Sequence, residues 1–444
     1  MYQQSQTPRN LTGESMRLTL LAAVVALHAA PLAAQPASRL DSAGIAKWRE
    51  DLAFLRAEMP ARHANLFHTM SRAQFDSAMA SIESRLPGLT RAAVIVELQK
   101  LAALVGDGHT NVGPWRDSVI AFHTLPVALY WFDEGLVVRA AAAANKSLIG
   151  GRVVAIGDLP IDSAIARVRP LISRDNEMGV RAFTPFFLVM PEILTATGIA
   201  HGDGNIRFVV EKNGKAQTVS LRGTTLFPML TGEADKSWIS RQGWVDARDG
   251  SPTPLWLSDP LDLYRFVMVD SARTLYIQIN TIQQKPGDSL SAFMRRAIAA
   301  ADSAAARRIV LDLRLNGGGN GGFNKGIFLP LIKSRYDTPD SLFVITGRRT
   351  WSAAQMLVTE MQKYTNATFV GEPSASKGNH YGDSYRIVLP NSRVTFRVST
   401  LWHQYLDSRD KRQMIEPRIP VALTFADYAA GRDPALAAAM REKR

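Results

Sequence analysis

Three short segments of this 444-residue chain combine residue types that suit acyl-transfer chemistry. Arg349-Thr350-Trp351-Ser352-Ala353-Ala354-Gln355 puts a serine where an apolar strand, Leu342 to Ile345, gives way to a helix. Such a serine can simply cap the helix. The same position also exposes its Oγ above the strands and aims the Ala353 N–H at the place where a tetrahedral oxyanion forms. Asp312-Leu313-Arg314-Leu315-Asn316-Gly317-Gly318-Gly319-Asn320-Gly321-Gly322 directly follows a second buried strand, Arg308 to Leu313. Its glycines let main-chain N–H groups approach an anion with no Cβ in the way. The third segment, Gly371-Glu372-Pro373-Ser374-Ala375-Ser376-Lys377-Gly378, follows the strand Thr368 to Val370. A partly desolvated lysine there can lose its proton near neutral pH and act as a serine's general base, because burial disfavours the ammonium.

Other chemistries fit less well. Gly317, Gly319 and Gly322 satisfy the dinucleotide spacing G-x-G-x-x-G, but the next strand ends in Thr346-Gly347-Arg348-Arg349 rather than in the acidic residue that holds a ribose. No Lys-Ser or Lys-Thr follows the glycines, so the Walker pattern fails too. The absence of cysteine excludes disulfides, thiolate metal sites and a cysteine nucleophile. The formal charge of +12 is scattered, without a basic stripe interleaved with aromatics, and reads as a solvated surface rather than a nucleic-acid footprint.

Three kinds of element must position these segments. From Asp41 to Val105 apolar residues recur at helical spacing: Trp48, Leu52, Leu55 and Met59, then Phe75, Met79, Ile82 and Leu86, then Val94, Leu98, Leu101 and Val105. Ser71 and Gln74 form a capping-box pair, Pro60 and Pro87-Gly88 punctuate helix ends, and the last helix stops at Gly106-Asp107-Gly108-His109-Thr110, a turn that presents a histidine. This predicts a helical unit over residues 40–110. Short β-type runs between Leu125 and Leu221, with a helix from Ile161 to Ile172 and an unassigned stretch from Ser173 to Gly204, predict a mostly-β module over 120–223. Residues 224–262, with Trp238, Trp244 and Trp256 among Gly, Pro, Ser and Asp, read as a linker. Strands and helices alternate over 263–444, which predicts an α/β layer. His380 and His403 read as ordinary strand polar residues. At the other end, Arg17, the apolar run Leu18 to Ala34 and its small-residue exit read as a signal peptide over residues 1–34, with Met16 as an alternative start. An exported, periplasmic or extracellular protein without stable membrane insertion follows.

The three segments, in this order, resemble the tail-specific (C-terminal-processing) serine proteases and their tricorn-like relatives, over roughly Leu275 to Ala438. The resemblance implies a crotonase-like β/α core, Ser352 as nucleophile and the Gly318 and Ala353 amides as oxyanion hole. Gly135 to Val138 with Leu148 to Ile156 looks like the family's PDZ-type module, which binds a polypeptide's C-terminal strand by β-addition. The base is left open between two candidates. One branch uses the lysine, here Lys377, although the glutamine usual four residues later is Tyr381. The tricorn-like branch uses a histidine from the turn after the N-terminal helices, here His109. The supporting acid expected near Ile415-Glu416-Pro417 is not at the matching position; Asp410 and Glu416 are the carboxylates at hand. The implied activity is hydrolysis of polypeptides without metal or cofactor. The alternative is an inactive member of the fold that binds a peptide or apolar ligand.

Overall fold

The computed structural model describes residues 38–202, 204–225, 236–239, 241–269 and 273–441, so the expected signal peptide lies outside the described residues. Helices α1 (Ser42–Arg62), α2 (Arg72–Arg85) and α3 (Arg91–Leu104) bury the periodic apolar residues named above in one core. The Ser71–Gln74 capping box forms, each side chain bonding the other residue's N–H. Helix α1 runs two residues past Pro60, because a proline in the last turn removes only one i→i−4 bond. Among the described residues no helix is long and apolar enough to cross a membrane.

An antiparallel sheet follows, in the order β1 (Val127–Phe132), β2 (Gly135–Ala142), β3 (Arg152–Ile156), β4 (Asn205–Lys212) and β5 (Lys215–Arg222). Between β3 and β4 lie α4 (Ile161–Val168) and α5 (Glu177–Phe187), the latter in the stretch the sequence pattern left unassigned. The segment expected as a linker carries packed structure in its described part. Trp244–Asp246 pairs with β2, and Trp238 and Trp256 are buried with Phe132, Leu315 and Tyr428.

The C-terminal part is a six-stranded sheet in the order β6 (Tyr264–Val269), β7 (Thr274–Ile279), β8 (Arg308–Asp312), β9 (Leu342–Thr346), β10 (Thr368–Gly371) and a short β13 (Ile419–Pro420). All pairs but β6–β7 are parallel. Helices α6 (Leu290–Ser303), α7 (Asn324–Ile332) and α8 (Ala353–Tyr364) cover one face. The C-terminal helix α9 (Pro434–Met440) covers the other. Strands buried on both faces read as continuous apolar runs, which is why β8 and β9 were legible. Parallel strands also gather their following loops at one end. The glycine-rich loop, the serine turn and the lysine turn follow β8, β9 and β10, three neighbours in the sheet.

A long hairpin, β11 (Asn379–Val388) and β12 (Thr395–Gln404), joins the two halves. Its distal part buries Ile387, Leu389, Phe396 and Val398 in the helical core, and the main-chain N–H groups of Asn391 and Ser392 donate to the buried carboxylate of Asp51 on α1. Its base places His380 opposite His403. The overall architecture is mixed α/β with several sheets.

Candidate active site

Ser352 sits at the N-cap position of α8, but its side chain makes no capping bond. Its backbone has φ 54° and ψ −125°. A left-handed serine is strained, and it persists because its neighbours are bolted down. Trp351 N–H donates to the Asn316 carbonyl at 3.0 Å, and Thr350 Oγ1 to the Leu313 carbonyl at 2.8 Å. Both acceptors belong to the loop after β8, so the glycine-rich loop holds the serine turn.

That loop must be glycine where it passes the serine. A Cβ on Gly318, whose φ is 112°, would lie 2.7 Å from Ser352 Cβ and 3.2 Å from the Ala353 nitrogen. Gly318 and Ala353 are therefore brought close together at Ser352. Their two amides differ in what they meet. The Gly318 N–H donates to Asn316 Oδ1 at 2.9 Å, in a turn closed by the asparagine side chain. Among the described residues, the Ala353 N–H at the start of α8 has no hydrogen-bond partner.

His109 lies 243 residues upstream, yet its Nε2 is 3.0 Å from Ser352 Oγ. Two rings hold the imidazole: Trp351 stacks on it at 4.0 Å, and His380 lies nearly parallel to it at 5.8 Å. For Nε2 to accept the serine proton, the ring must carry its own proton on Nδ1, which is buried without a hydrogen bond of good geometry. The Tyr381 main chain is the nearby polar group that favours a proton on this ring. Burial pushes His109 down to about 4, against the charge of Asp107, which favours the imidazolium.

Asp107 organises the turn. Its Oδ1 accepts from His109 N–H, Thr110 N–H and the Ser399 hydroxyl, and its Oδ2 from the Thr110 hydroxyl. The fifth donor is His63 Nε2, at 2.9 Å from Oδ2. His63 Nδ1 accepts the Asn65 N–H, which fixes the ring proton on Nε2. Burial alone would raise Asp107; these donors, led by His63, override it and hold the carboxyl down at about 2.

Asp175, just before α5, reaches the same turn from the other side. Its Oδ1 accepts the Gly108 N–H at 2.8 Å, and Asn176 Nδ2 donates to the Ser374 carbonyl on the lysine turn. A side chain at Gly108 would be crowded, since a Cβ would come within 3.1 Å of Trp351 Nε1 and 3.4 Å of Asp175 Oδ1 and press on both.

Lys377 lies on the same rim, its carbonyl accepting from His380 Nδ1. Among the described residues no hydrogen bond or ion pair joins Lys377 to Ser352. Asp410 pairs with Arg412 and Glu416 is exposed, and no described contact brings either to His109. His380 is 2% exposed, and burial lowers it to about 3. His403 Nε2 is 3.0 Å from Asp383 Oδ2, close enough for an ion pair but not aligned as a hydrogen bond. These two histidines, read as ordinary strand residues, thus line the histidine site. The Asp-x-His spacing of Asp107 and His109 was a signal that could have marked the carboxylate. Asp175 had none, because its segment carries no recognisable periodicity.

The Asp-Leu-Arg of the glycine-rich segment is structural. Asp312 accepts from Tyr276 Oη and Arg314, and Arg314 bridges on to Asp433 at the N-cap of α9.

No family profile matches the chain, and no curated protein matches it in sequence. Solved structures do match in three dimensions. Mature CPAF complexed with lactacystin superposes with TM-score 0.59 at 12% identity, covering 87% of this chain and 96% of that one. Mature CPAF alone gives 0.58 at 12%, covering 87% and 94%. The photosystem II D1 C-terminal processing protease gives 0.39 at 12%, covering 89% and 99%. At these identities the likeness is one of architecture alone: the chain shares the fold of mature CPAF.

Proposed function

We propose that this chain is an exported serine peptidase in which Ser352 is the nucleophile and His109 the general base. The observation that carries this reading is the 3.0 Å approach of His109 Nε2 to an uncapped, strained serine Oγ beside the unpartnered Ala353 N–H. Ser352 Oγ attacks the scissile carbonyl as its proton passes to His109 Nε2. The oxyanion is received by the Ala353 N–H, with the Gly318 N–H shared between it and Asn316 Oδ1. The imidazolium, favoured by the Asp107 charge, returns the proton to the leaving amine. Water, deprotonated by the same ring, then releases the acyl group from the serine. The reaction as written needs no cofactor. In this reading the six-stranded sheet is the crotonase-like core, β1 to β5 form the PDZ-like module that presents the polypeptide, and Lys377 is not the base.

A second reading, a non-catalytic binding protein of the same fold, draws on the engaged Gly318 N–H. Labelling with a fluorophosphonate separates the two. Wild-type protein should label and Ser352→Ala should not; labelling unaffected by that change removes the mechanism. His109→Ala against Lys377→Met then assigns the base.

A further inference from the structure

Asp175 is a buried carboxyl that the mechanism above does not use. It is 6% exposed, holds the Gly108 N–H through Oδ1, and leaves Oδ2 buried without a hydrogen bond of good geometry. The residue it grips is the one before His109. With Asn176 bonded to the lysine turn and also capping α5, this short segment clasps the histidine turn to the loops at the ends of the parallel strands. Resting on the reading of Ser352 and His109 as nucleophile and base, we propose that Asp175 is a positioning residue: its grip on Gly108 sets the reach of the His109 ring to Ser352.

The groups facing it make that grip depend on pH. From the histidine turn comes the ionised Asp107, a like charge. From the lysine turn come the Ser376 hydroxyl, which also lies 3.4 Å from the Ser352 nitrogen, and the Lys377 cation. On its own segment Arg174 bonds main-chain carbonyls and Glu177 pairs with Arg169. On the serine turn Arg348 pairs with Glu372, and Arg349 lies over the Phe183 ring. Burial and then the Asp107 charge push Asp175 up to about 7. An ionised carboxylate accepts an N–H more strongly than the neutral acid does. The clasp therefore tightens as pH rises through neutrality.

The test is the rate of fluorophosphonate–rhodamine labelling of the full chain between pH 4 and 9, with a thermal melt of each variant. Wild type should show one rise near pH 4, from His109, and a second of roughly three- to tenfold near pH 7. Asp175→Asn keeps an acceptor for Gly108 but cannot ionise, so it should retain the first rise and lose the second. Asp175→Ala should fall below the lower plateau at every pH, and Asp175→Glu should restore a second rise. A structural role alone would move the melting temperature and leave the second rise in place. An Asp175→Asn profile identical to wild type overturns this proposal and leaves the peptidase reading intact. Wild type that fails to label overturns both.

Discussion

Replacing Asp107 with asparagine should unsettle the fold and the site together, by an amount that the surroundings of the carboxylate determine. The native group is held at about 2, against an ordinary aspartate near 3.8. A depressed carboxylate contributes stability above the unfolded value and loses it as pH falls through the folded one. At about 1.4 kcal/mol per unit, the contribution at neutral pH is on the order of 2 kcal/mol. Asparagine adds a second cost. With its oxygen facing the His109 and Thr110 amides, its NH2 group meets His63 Nε2–H, itself a donor fixed by Asn65. A buried donor without an acceptor costs about 1–3 kcal/mol, so Asp107→Asn should lose about 3–5 kcal/mol at pH 7. Urea unfolding checks this directly. The gap to wild type should narrow by about 1 kcal/mol at pH 3, where the unfolded aspartate takes up a proton that the native carboxylate still refuses. Labelling of Ser352 should also slow at least about tenfold, since the charge favouring the imidazolium is gone. A loss under about 1 kcal/mol, or a gap equal at pH 7 and pH 3, would refute the assignment of Asp107 as the ionised hub of the turn.

Further outcomes follow from the same geometry. His109→Ala should cost about 10³-fold or more in labelling rate, whereas Lys377→Met should stay within about tenfold of wild type; the reverse order would hand the base to the lysine. Because burial lowers His109 to about 4, the ring remains neutral above that value, and the acid limb of the pH profile should fall near 4 rather than at an ordinary histidine's 6.5. Gly318→Ala should lose more than about 10²-fold, since its Cβ would sit 2.7 Å from Ser352 Cβ; near-normal labelling would show that the loop stands farther off. For Asp175, raised to about 7, the folded state holds a proton that the unfolded chain has released, so ionisation disfavours folding as pH climbs from about 4 to 7. Asp175→Asn should therefore be the more stable protein at pH 8, by up to roughly 4 kcal/mol, with the advantage shrinking at pH 5.

The parts of this architecture that were legible in the sequence are those whose pattern is local. The buried strands β8 and β9 are continuous apolar runs bounded by glycine and polar residues, and α1 to α3 keep a helical stripe. The serine, the glycine-rich loop and the lysine turn could be located because each directly follows such a strand. His380 and His403 were legible as strand residues, but the pairing of β11 with β12 was not, because the hairpin meets different surroundings along its length, the histidine site at its base and the helical core farther out, and no single alternation runs through it. Asp175 and His63 escaped for a related reason. Their roles are defined by partners 67 and 44 residues away, Gly108 and Asp107, and neither sits in a periodic or glycine-marked context. The aromatic content of the expected linker, residues 224–262, was visible, but what Trp238 and Trp256 pack against, Phe132 and Leu315, comes from a distant strand and from the loop after β8.

The pairing of a histidine near the start of the folded chain with a serine in its last quarter has a consequence for biosynthesis. No fragment lacking either segment can assemble the His109–Ser352 pair, so on the proposed reading a growing polypeptide remains chemically silent until its parallel layer has docked onto the helices made first. The contact between these two side chains is then a checkpoint for completion: a protein interrupted before β9 holds the histidine but not the serine.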